Sequence, residues 1–174
     1  MDSLVYLRAF EPDDYLTSIK WRNDDQIWAL LGGGKFYVSG SYEKKWIEDA
    51  IFDSKNIRLA ICLSDGDRYI GNVSITNVNQ ALRSGESNIF IGDHSCWGKG
   101  FGANAYKQLL EYAFKERGFH RIEARVLDTN VASMKLHEKC GFKKEGILRE
   151  TVFKNGCWQN QVVFSILESE FLRE

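Results

Sequence analysis

The sequence predicts a single α/β domain, with about seven mostly antiparallel strands in a mixed sheet. Seven short β-rich runs are spread over the 174 residues, turn signals join several of them, and one strongly amphipathic helix separates the fourth run from the fifth. A hydrophobic content of 44% with 13% aromatics is enough for a sizeable core. No repeat, linker or low-complexity segment marks a second domain, so residues 1–174 are expected to form one.

The first third of the chain is predicted to contain a strand followed by helices. Residues 4–10 form a short β-rich run. Pro12 and the acids beside it suit the first turn of a helix, which is expected to end near residues 21–25. The glycines at 32–34 break the chain, and Ser41 can cap a second helix that runs to Phe52.

The rest of the chain predicts a meander, a helix, a strand, a short helix and a hairpin. Runs at 56–63 and 68–78 are joined by the turn signal "SDGD", and residues 87–92 supply a third strand. Apolar residues then recur at helical spacing from Tyr106 to Phe114, and Gly118 can end that helix. The remaining elements are a strand at 121–127, a helix at 130–139 and two long runs after Phe142, joined by "KNG".

Charge and composition restrict the classes of partner. The net charge is −1 and the basic residues are scattered among acids, so neither nucleic acid nor an anionic membrane is expected to bind. The segment "MDSLVYLRAF" has no basic region leading into a long apolar stretch, which predicts a cytoplasmic protein. A small molecule or another protein is the expected partner, and a homo-oligomer is left open.

The cysteines do not indicate a metal site or a disulfide framework. Cys62, Cys96, Cys140 and Cys157 are far apart in a chain large enough to fold without cross-links, so reduced core thiols are expected. No C-x-x-C accompanies the close His–Cys pairs at 94–96 and 137–140, which disfavours a bound metal.

Residues 96–105 read "CWGKGFGANA" and lead into the amphipathic helix. Backbone N–H groups at a helix N-terminus donate to phosphate oxygens, so this stretch is a candidate phosphate cradle. Gly100, Gly102 and Ala105 also match the dinucleotide motif G-x-G-x-x-A. A dinucleotide fold, however, needs these glycines in its first βα turn, followed by alternating parallel strands, and this chain has neither. A P-loop is excluded because no G-K-[ST] occurs.

The order of elements resembles the Gcn5-related N-acetyltransferase (GNAT) superfamily over nearly the whole chain. Residues 89–114, 121–142 and 145–167 carry the resemblance. They look most like the branch that contains ribosomal-protein alanine, spermidine and amino-sugar N-acetyltransferases. The superfamily's signature [QR]-x-x-G-x-[GA] is met at Gly100 and Gly102, with Trp97 at the Gln/Arg position. The resemblance implies helices on both faces of the sheet and acetyl-CoA as co-substrate.

The resemblance also implies which residues hold the cofactor. The loop would bind the pyrophosphate, with Gly100 and Gly102 giving it close access to the main chain and freedom of φ. The strand at 88–92 would pair with the pantetheine arm through its backbone. The cofactor-binding candidates are Ile91, Trp97, Gly98, Lys99, Gly100, Phe101, Gly102, Ala103, Asn130, Ser133 and Lys139.

Two residues are candidates for proton transfer. A primary amine with a pKa near ~10 is mostly protonated at neutral pH, so acetylation gains from a general base, and Glu86 stands where related enzymes place a glutamate. His137 occupies the position at which many members of the superfamily have a tyrosine acid. It can protonate the departing thiolate, or it can be a packed or surface histidine with solvent as the proton source.

The acceptor is expected between the N-terminal helices and the C-terminal hairpin, with Trp28, Lys35, Tyr37 and Trp158 as candidate contacts. A small-molecule amine, amino sugar, polyamine or protein N-terminus fits this description. A polyamine needs several carboxylates, and residues 32–42 contain none. Two other classes are a noncatalytic acyl-CoA-binding or sensing module and a dinucleotide-binding oxidoreductase.

Overall fold

The computed structural model describes residues 3–172. The strands are β1 (Val5–Arg8), β2 (Ile57–Leu63), β3 (Tyr69–Asn79), β4 (Ser84–Ile91), β5 (Arg121–Leu127), β6 (Lys143–Lys154) and β7 (Cys157–Leu167). The helices are α1 (Tyr15–Arg22), α2 (Asp25–Leu30), α3 (Gly40–Ile51), α4 (Phe101–Glu111), α5 (Val131–Lys139) and α6 (Glu168–Phe171). Short 3₁₀ turns at Pro12–Asp14 and His94–Cys96 precede α1 and α4.

The strands form one sheet in the order β1-β2-β3-β4-β5-β7-β6. Every neighbouring pair is antiparallel except β4 and β5, which run parallel. The predicted α/β fold with a mostly antiparallel seven-stranded sheet is confirmed. A single parallel pair cannot make the parallel sheet of a dinucleotide-binding fold.

Helices cover both faces of the sheet. On one face α4 buries Tyr106, Leu109 and Leu110 in a cluster that also contains Ile61 and Ile122 of the sheet. On the other face the N-terminal helices bury a second cluster, which includes Phe10, Trp21, Ile27, Ile47 and Tyr69. The predicted apolar stripe of α4 is fully buried, and Gly118 ends the segment with φ +63° after a π-helical turn at Tyr112–Glu116.

Two details of the N-terminal region differ from the sequence-based expectation. Ser39, rather than Ser41, caps α3, because its hydroxyl accepts the Tyr42 N–H at 3.1 Å. A further helix, α2, follows α1 after a two-residue break, and the Asp24 carboxylate caps it by accepting the N–H groups of Gln26 and Ile27. Sequence analysis missed α2 because its six residues are too few to show a helical period.

The parallel pair β4–β5 is short, and the two strands then separate. Only Ser84–Glu86 and Arg121–Glu123 are in register as partners. At the next position Ser87 turns its side chain towards β5, with Oγ 2.9 Å from the Glu123 carbonyl oxygen and 2.5 Å from the Tyr106 hydroxyl. The hydroxyl thus occupies the place of the next ladder hydrogen bond. We call this divergence of β4 and β5 after Glu86 and Glu123 the fork.

The C-terminal hairpin and the cysteines complete the fold. Asn155 and Gly156 both have positive φ, as a type I′ turn requires, and they join β6 to β7 as predicted. Cys62, Cys96 and Cys140 are buried. Cys157 is exposed at the start of β7, so the expectation of a core position was wrong for this residue.

Replacing Gly92 with Ala is expected to destabilise the fold by about 1–3 kcal/mol, because an added methyl would overpack the contact between β4 and α1. A Cβ at Gly92 would lie 2.0 Å from Cδ2 of the buried Trp21, whose ring also packs on Tyr69 and Phe90. Urea unfolding of the two proteins measures the change. Gly40→Ala is the matched control, since nothing lies within 4 Å of its added methyl; equal stability of both variants would contradict this packing.

Candidate active site

Two cavities meet at the fork. The first has a volume of about 470 Å³ and lies between β4, β5, α4 and α5. The second has a volume of about 430 Å³ and lies on the opposite face of the sheet, against the N-terminal helices. Leu31, Gly32, Asn88, Phe90 and Arg125 line both. We call the first the cofactor cleft and the second the acceptor pocket, after the roles that the sequence leads us to expect.

The glycine loop forms one wall of the cofactor cleft. Gly98 and Gly100 have φ of +73° and +84°, so these two glycines provide the left-handed backbone. Gly102 has no positive φ; a Cβ there would instead point towards Ile91 and Leu136, at 4.0 and 3.7 Å, and would take up space in the cleft. The positive φ expected at Gly102 is therefore found at Gly98 instead. The steric role expected of Gly102 remains.

The loop places a helix N-terminus at the cleft. The first helical N–H bond of α4 runs from Asn104 to the Gly100 carbonyl at 3.1 Å. The N–H groups of Phe101, Gly102 and Ala103 come before it and have no partner within the helix. All three residues line the cleft, so their donors and the positive end of the helix dipole are available to an anion.

Trp97 connects the loop to the end of β4. Its indole Nε1–H donates to the Ile91 carbonyl at 2.8 Å, and its ring stacks on His94. Both Trp97 and Ile91 line the cleft, but the Ile91 carbonyl already has a protein partner. The backbone groups of a strand alternate between its two edges, so the N–H and carbonyl of Ile89, two residues before Ile91, point to the same edge as the Ile91 carbonyl. Ile89 therefore faces the fork, where no described residue of β5 is in register with it. Sequence analysis did not identify Ile89.

The opposite wall of the cofactor cleft is α5. Asn130 caps this helix by accepting the Ser133 N–H at 3.0 Å, and its amide donates to the Leu30 carbonyl. Asn130, Ser133 and Lys139 all line the cleft, together with Gly98 and Gly100 of the loop. Lys99 is exposed and is not among the lining residues.

Glu86 is at the end of the paired part of β4 and lines the acceptor pocket. Its side chain is 23% exposed, and Oε2 accepts from the Asn77 amide at 3.2 Å. The Arg125 guanidinium approaches the same oxygen at 4.0 Å, which is beyond hydrogen-bonding distance. The carboxylate is thus partly shielded from water and open to a ligand in the pocket.

His137 lines the cofactor cleft but is 3% exposed. Its Nδ1–H donates to the Ser133 carbonyl at 2.7 Å, and Nε2 lies 3.0 Å from the Tyr106 hydroxyl. Burial lowers the pKa of this imidazole and raises that of the Tyr106 phenol, so the histidine is neutral and the tyrosine is protonated at pH 7. Nε2 then accepts the tyrosine proton, and neither ring nitrogen has a proton directed into the cleft.

Of the predicted acceptor contacts, the structure places only Trp28 in the acceptor pocket. Lys35 forms an ion pair with Asp25, and Tyr37 beside it is 91% exposed. Trp158 stands at the far end of the C-terminal hairpin, against Phe153. Lys35, Tyr37 and Trp158 therefore do not line the acceptor pocket with Trp28.

The acceptor pocket contains residues that sequence analysis missed, above all Arg22, Arg58 and Arg125. Each is an ordinary charged residue in a helix or strand, with no motif around it. The alternation of β5 could have identified Arg125, because it lies two residues after Glu123, the partner of Glu86, and so shares its face of the sheet.

Two kinds of feature are absent from residues 3–172. No helix in this range is long and apolar enough to cross a membrane. No group of three or more His, Cys, Asp or Glu side chains in the same range is arranged to hold a metal ion.

Comparisons with known proteins agree with this geometry. The family model described as "Acetyltransferase (GNAT) domain" matches residues 5–143. A spermidine N(1)-acetyltransferase of Vibrio cholerae is 36% identical over 174 residues, covering 99% of this chain and 98% of its own. A probable N-acetyltransferase of Bacillus subtilis, YjcK, is 30% identical over 175 residues and 95% of each chain.

The crystal structure of the Vibrio cholerae spermidine N-acetyltransferase, in complex with CoA and spermine, superposes with a TM-score of 0.90 at 29% identity, covering 98% of this chain and 99% of that one. The resemblance predicted from the glycine loop and the order of elements is confirmed. The chain belongs to the GNAT family of acetyltransferases.

Proposed function

We propose that this acetyl-CoA-dependent N-acetyltransferase holds its co-substrate in the cofactor cleft and its amine in the acceptor pocket, and that the acetyl group passes between them at the fork. The observation that carries this assignment is the meeting of the two cavities between β4 and β5. A thioester in one cavity is accessible to a nucleophile in the other only through this opening.

The cleft suits acetyl-CoA along its length. The donors of the glycine loop and of the α4 N-terminus would bind the pyrophosphate. The unpaired edge of β4 at Ile89 would bind the amides of the pantetheine arm, with Asn130 and Ser133 of α5 on the other side. This arrangement brings the thioester to the fork, beside Asn88 and Arg125.

Glu86 is the proposed general base. It accepts a proton from the bound ammonium, and the freed lone pair attacks the thioester carbonyl carbon. A C–N bond forms, the C–S bond breaks, and the CoA thiolate leaves with the bonding electron pair. The acetylated nitrogen then loses its second proton to solvent and the thiolate takes up a proton from solvent, so that the amide and the free thiol are the products.

The position of His137 favours a structural role over that of the acid. A neutral imidazole that donates to Ser133 and accepts from Tyr106 has no proton for the thiolate. Solvent, which reaches the fork through both cavities, is the proposed proton source. His137 instead fixes the Tyr106 hydroxyl, which in turn contacts Ser87 at the fork.

Small-molecule amines fit the acceptor pocket best among the acceptor classes expected from the sequence. Its volume of about 430 Å³ is in the range of small-ligand sites. The relatives include enzymes named for spermidine, and a polyamine is the acceptor that this relationship suggests. A cytoplasmic location remains a prediction from the sequence, which leaves the oligomeric state open.

Gly102→Val is expected to weaken acetyl-CoA binding by about 10-fold or more, because the added side chain would project towards Ile91 and Leu136 across the cleft. Neither neighbour is closer than 3.7 Å to the added Cβ, so the fold should persist. Titration calorimetry with acetyl-CoA measures the affinity. Gly146→Val, on open β6, is the matched control; unchanged affinity in Gly102→Val would remove the glycine loop from the cofactor site.

Glu86→Gln is expected to lower kcat by about 10²-fold at neutral pH, as loss of a general base typically does. The loss should shrink as pH rises towards ~10, because the amine then deprotonates without help. A pH profile of kcat for both proteins measures this. Glu123→Gln, the register partner on β5, is the control; wild-type rates for Glu86→Gln at every pH would contradict the assignment.

His137→Phe should change the pH dependence of the free energy of unfolding more than it changes kcat. Because burial holds the folded-state pKa of His137 below the ordinary value of about 6.5, the unfolded chain binds more protons just below that value, and wild-type stability falls as pH drops there. The variant should lack this part of the slope, as urea unfolding between pH 5 and 7.5 will show. The kcat profile should keep its shape; loss of a fall in kcat above the histidine pKa would restore His137 as the general acid.

A further inference from the structure

The charged residues around the acceptor pocket do not match a polyamine. Three arginines line it (Arg22, Arg58 and Arg125), and Glu86 is the only carboxylate among its lining residues. A polyamine that presents one amine to Glu86 would bring its other cations against guanidinium groups. Like charges in a partly enclosed site repel, so this pocket selects against extended polycations.

Two of the three arginines are already bound by carboxylates. Arg22 Nε donates to the buried Glu43 at 3.0 Å, and Arg58 Nε donates to Asp53 at 3.0 Å. Both guanidinium groups also lie over the Trp46 ring, at 5.4 and 5.6 Å from its centroid. Arg22 and Arg58 are thus held in place on one side of the pocket, and the carboxylates of Glu43 and Asp53, which do not line it, neutralise their positive charges.

Arg125 differs from the other two. Within residues 3–172 its guanidinium has no hydrogen-bonded carboxylate, and Glu86, at 4.0 Å, is the acid with which it forms its ion pair. Its side chain is 45% exposed and lies where the two cavities join. A guanidinium in this state can bind an incoming carboxylate in bidentate fashion.

Glu86 and Arg125 therefore present opposite charges side by side from neighbouring strands. An ammonium bound to Glu86 and a carboxylate bound to Arg125 would satisfy both, provided that the ligand has the two groups on the same carbon atom. We propose that the acceptor is an amine with a neighbouring carboxylate, that is, an amino acid, and that Arg125 is the residue that recognises its acid group. This inference rests on the proposed function, with Glu86 at the reacting amine.

The remaining surface of the pocket indicates the type of side chain. Trp46, Trp28, Phe10 and Phe90 supply apolar area to the pocket lining, and Asn72, Ser74 and Gln161 supply polar groups. Burial of apolar area is favourable at roughly 25 cal/mol per Å², so an amino acid with a large apolar or aromatic side chain is the best fit. L-Phenylalanine, L-leucine and L-methionine are suitable probes.

The test compares each amino acid with two ligands of the same side chain that lack the acid: the decarboxylated amine and the amino acid amide. The amine of the amide has a lower pKa than that of the amino acid, so more of it is deprotonated at neutral pH. The amide would therefore react faster if the reactivity of the amine alone decided the rate. Released CoA thiol is measured at neutral pH with a saturating concentration of acetyl-CoA, and spermidine is included. For at least one side chain, kcat/KM should be about 10-fold or more higher for the amino acid than for either analogue or for spermidine.

Arg125→Gln should abolish that preference, because KM should rise about 10-fold or more for the amino acid and by less than that for the decarboxylated amine. KM for acetyl-CoA should not change. Arg125→Lys should retain part of the preference, because it keeps the charge without the bidentate geometry. Arg117→Gln, at the distant end of the segment after α4, is the control for removal of an arginine.

Each outcome has a definite meaning. Acetylation of amines without a preference for the acid-bearing ligand, or better turnover of spermidine, would overturn this inference and leave the proposed function standing. A rise in KM for acetyl-CoA in Arg125→Gln, with the acceptor preference intact, would assign Arg125 to the cofactor and also overturn it. Binding of acetyl-CoA without CoA release for any amine would contradict the proposed function itself.

Discussion

The fork between β4 and β5 is the constraint on which the rest of the structure depends. Ser87 ends the parallel ladder, and its single hydroxyl proton is directed between the Glu123 carbonyl oxygen at 2.9 Å and the Tyr106 oxygen of α4 at 2.5 Å. His137 of α5 holds Tyr106 in turn. Three elements that form the cofactor cleft are therefore joined by one buried chain of hydrogen bonds, in which a lost partner would leave a costly unpaired group.

The fork also separates two sites that present different charges to their ligands. On the cofactor side the protein offers backbone N–H groups and a helix N-terminus, which suit the anionic end of the co-substrate. On the acceptor side it offers the Glu86–Arg125 pair and a wall of compensated arginines. The family relationship explains the first arrangement, whereas the second differs from what a polycation requires.

Most of the fold could be predicted from the sequence, because periodicity and turn chemistry are local signals. The apolar stripe of α4, the Asn155–Gly156 turn and the meander are each indicated by residues that lie close together in the sequence. The glycine loop was found in the same way. The cap at Ser39 was missed because Ser41, two residues later, is an equally good capping residue. The short helix α2 was missed because six residues are too few to show a helical period.

The candidate site was only partly accessible to sequence analysis, because its selectivity comes from residues far apart in the chain. Arg22, Arg58 and Arg125 belong to α1, β2 and β5, and nothing in their local sequence shows that they face one cavity. The burial of His137 likewise depends on Tyr106 and Phe164, which its own helix does not reveal. Tertiary packing thus favours one of the two roles that residue type left open.

The central claim is direct transfer of the acetyl group at the fork. Incubation with acetyl-CoA labelled in the acetyl group, followed by mass spectrometry of both amine and protein, tests it most directly. The account predicts label on the amine nitrogen in amounts equal to the CoA released, and none on the protein, including the buried Cys96 beside the cofactor cleft. Label on a protein side chain that then passes to the amine would contradict it.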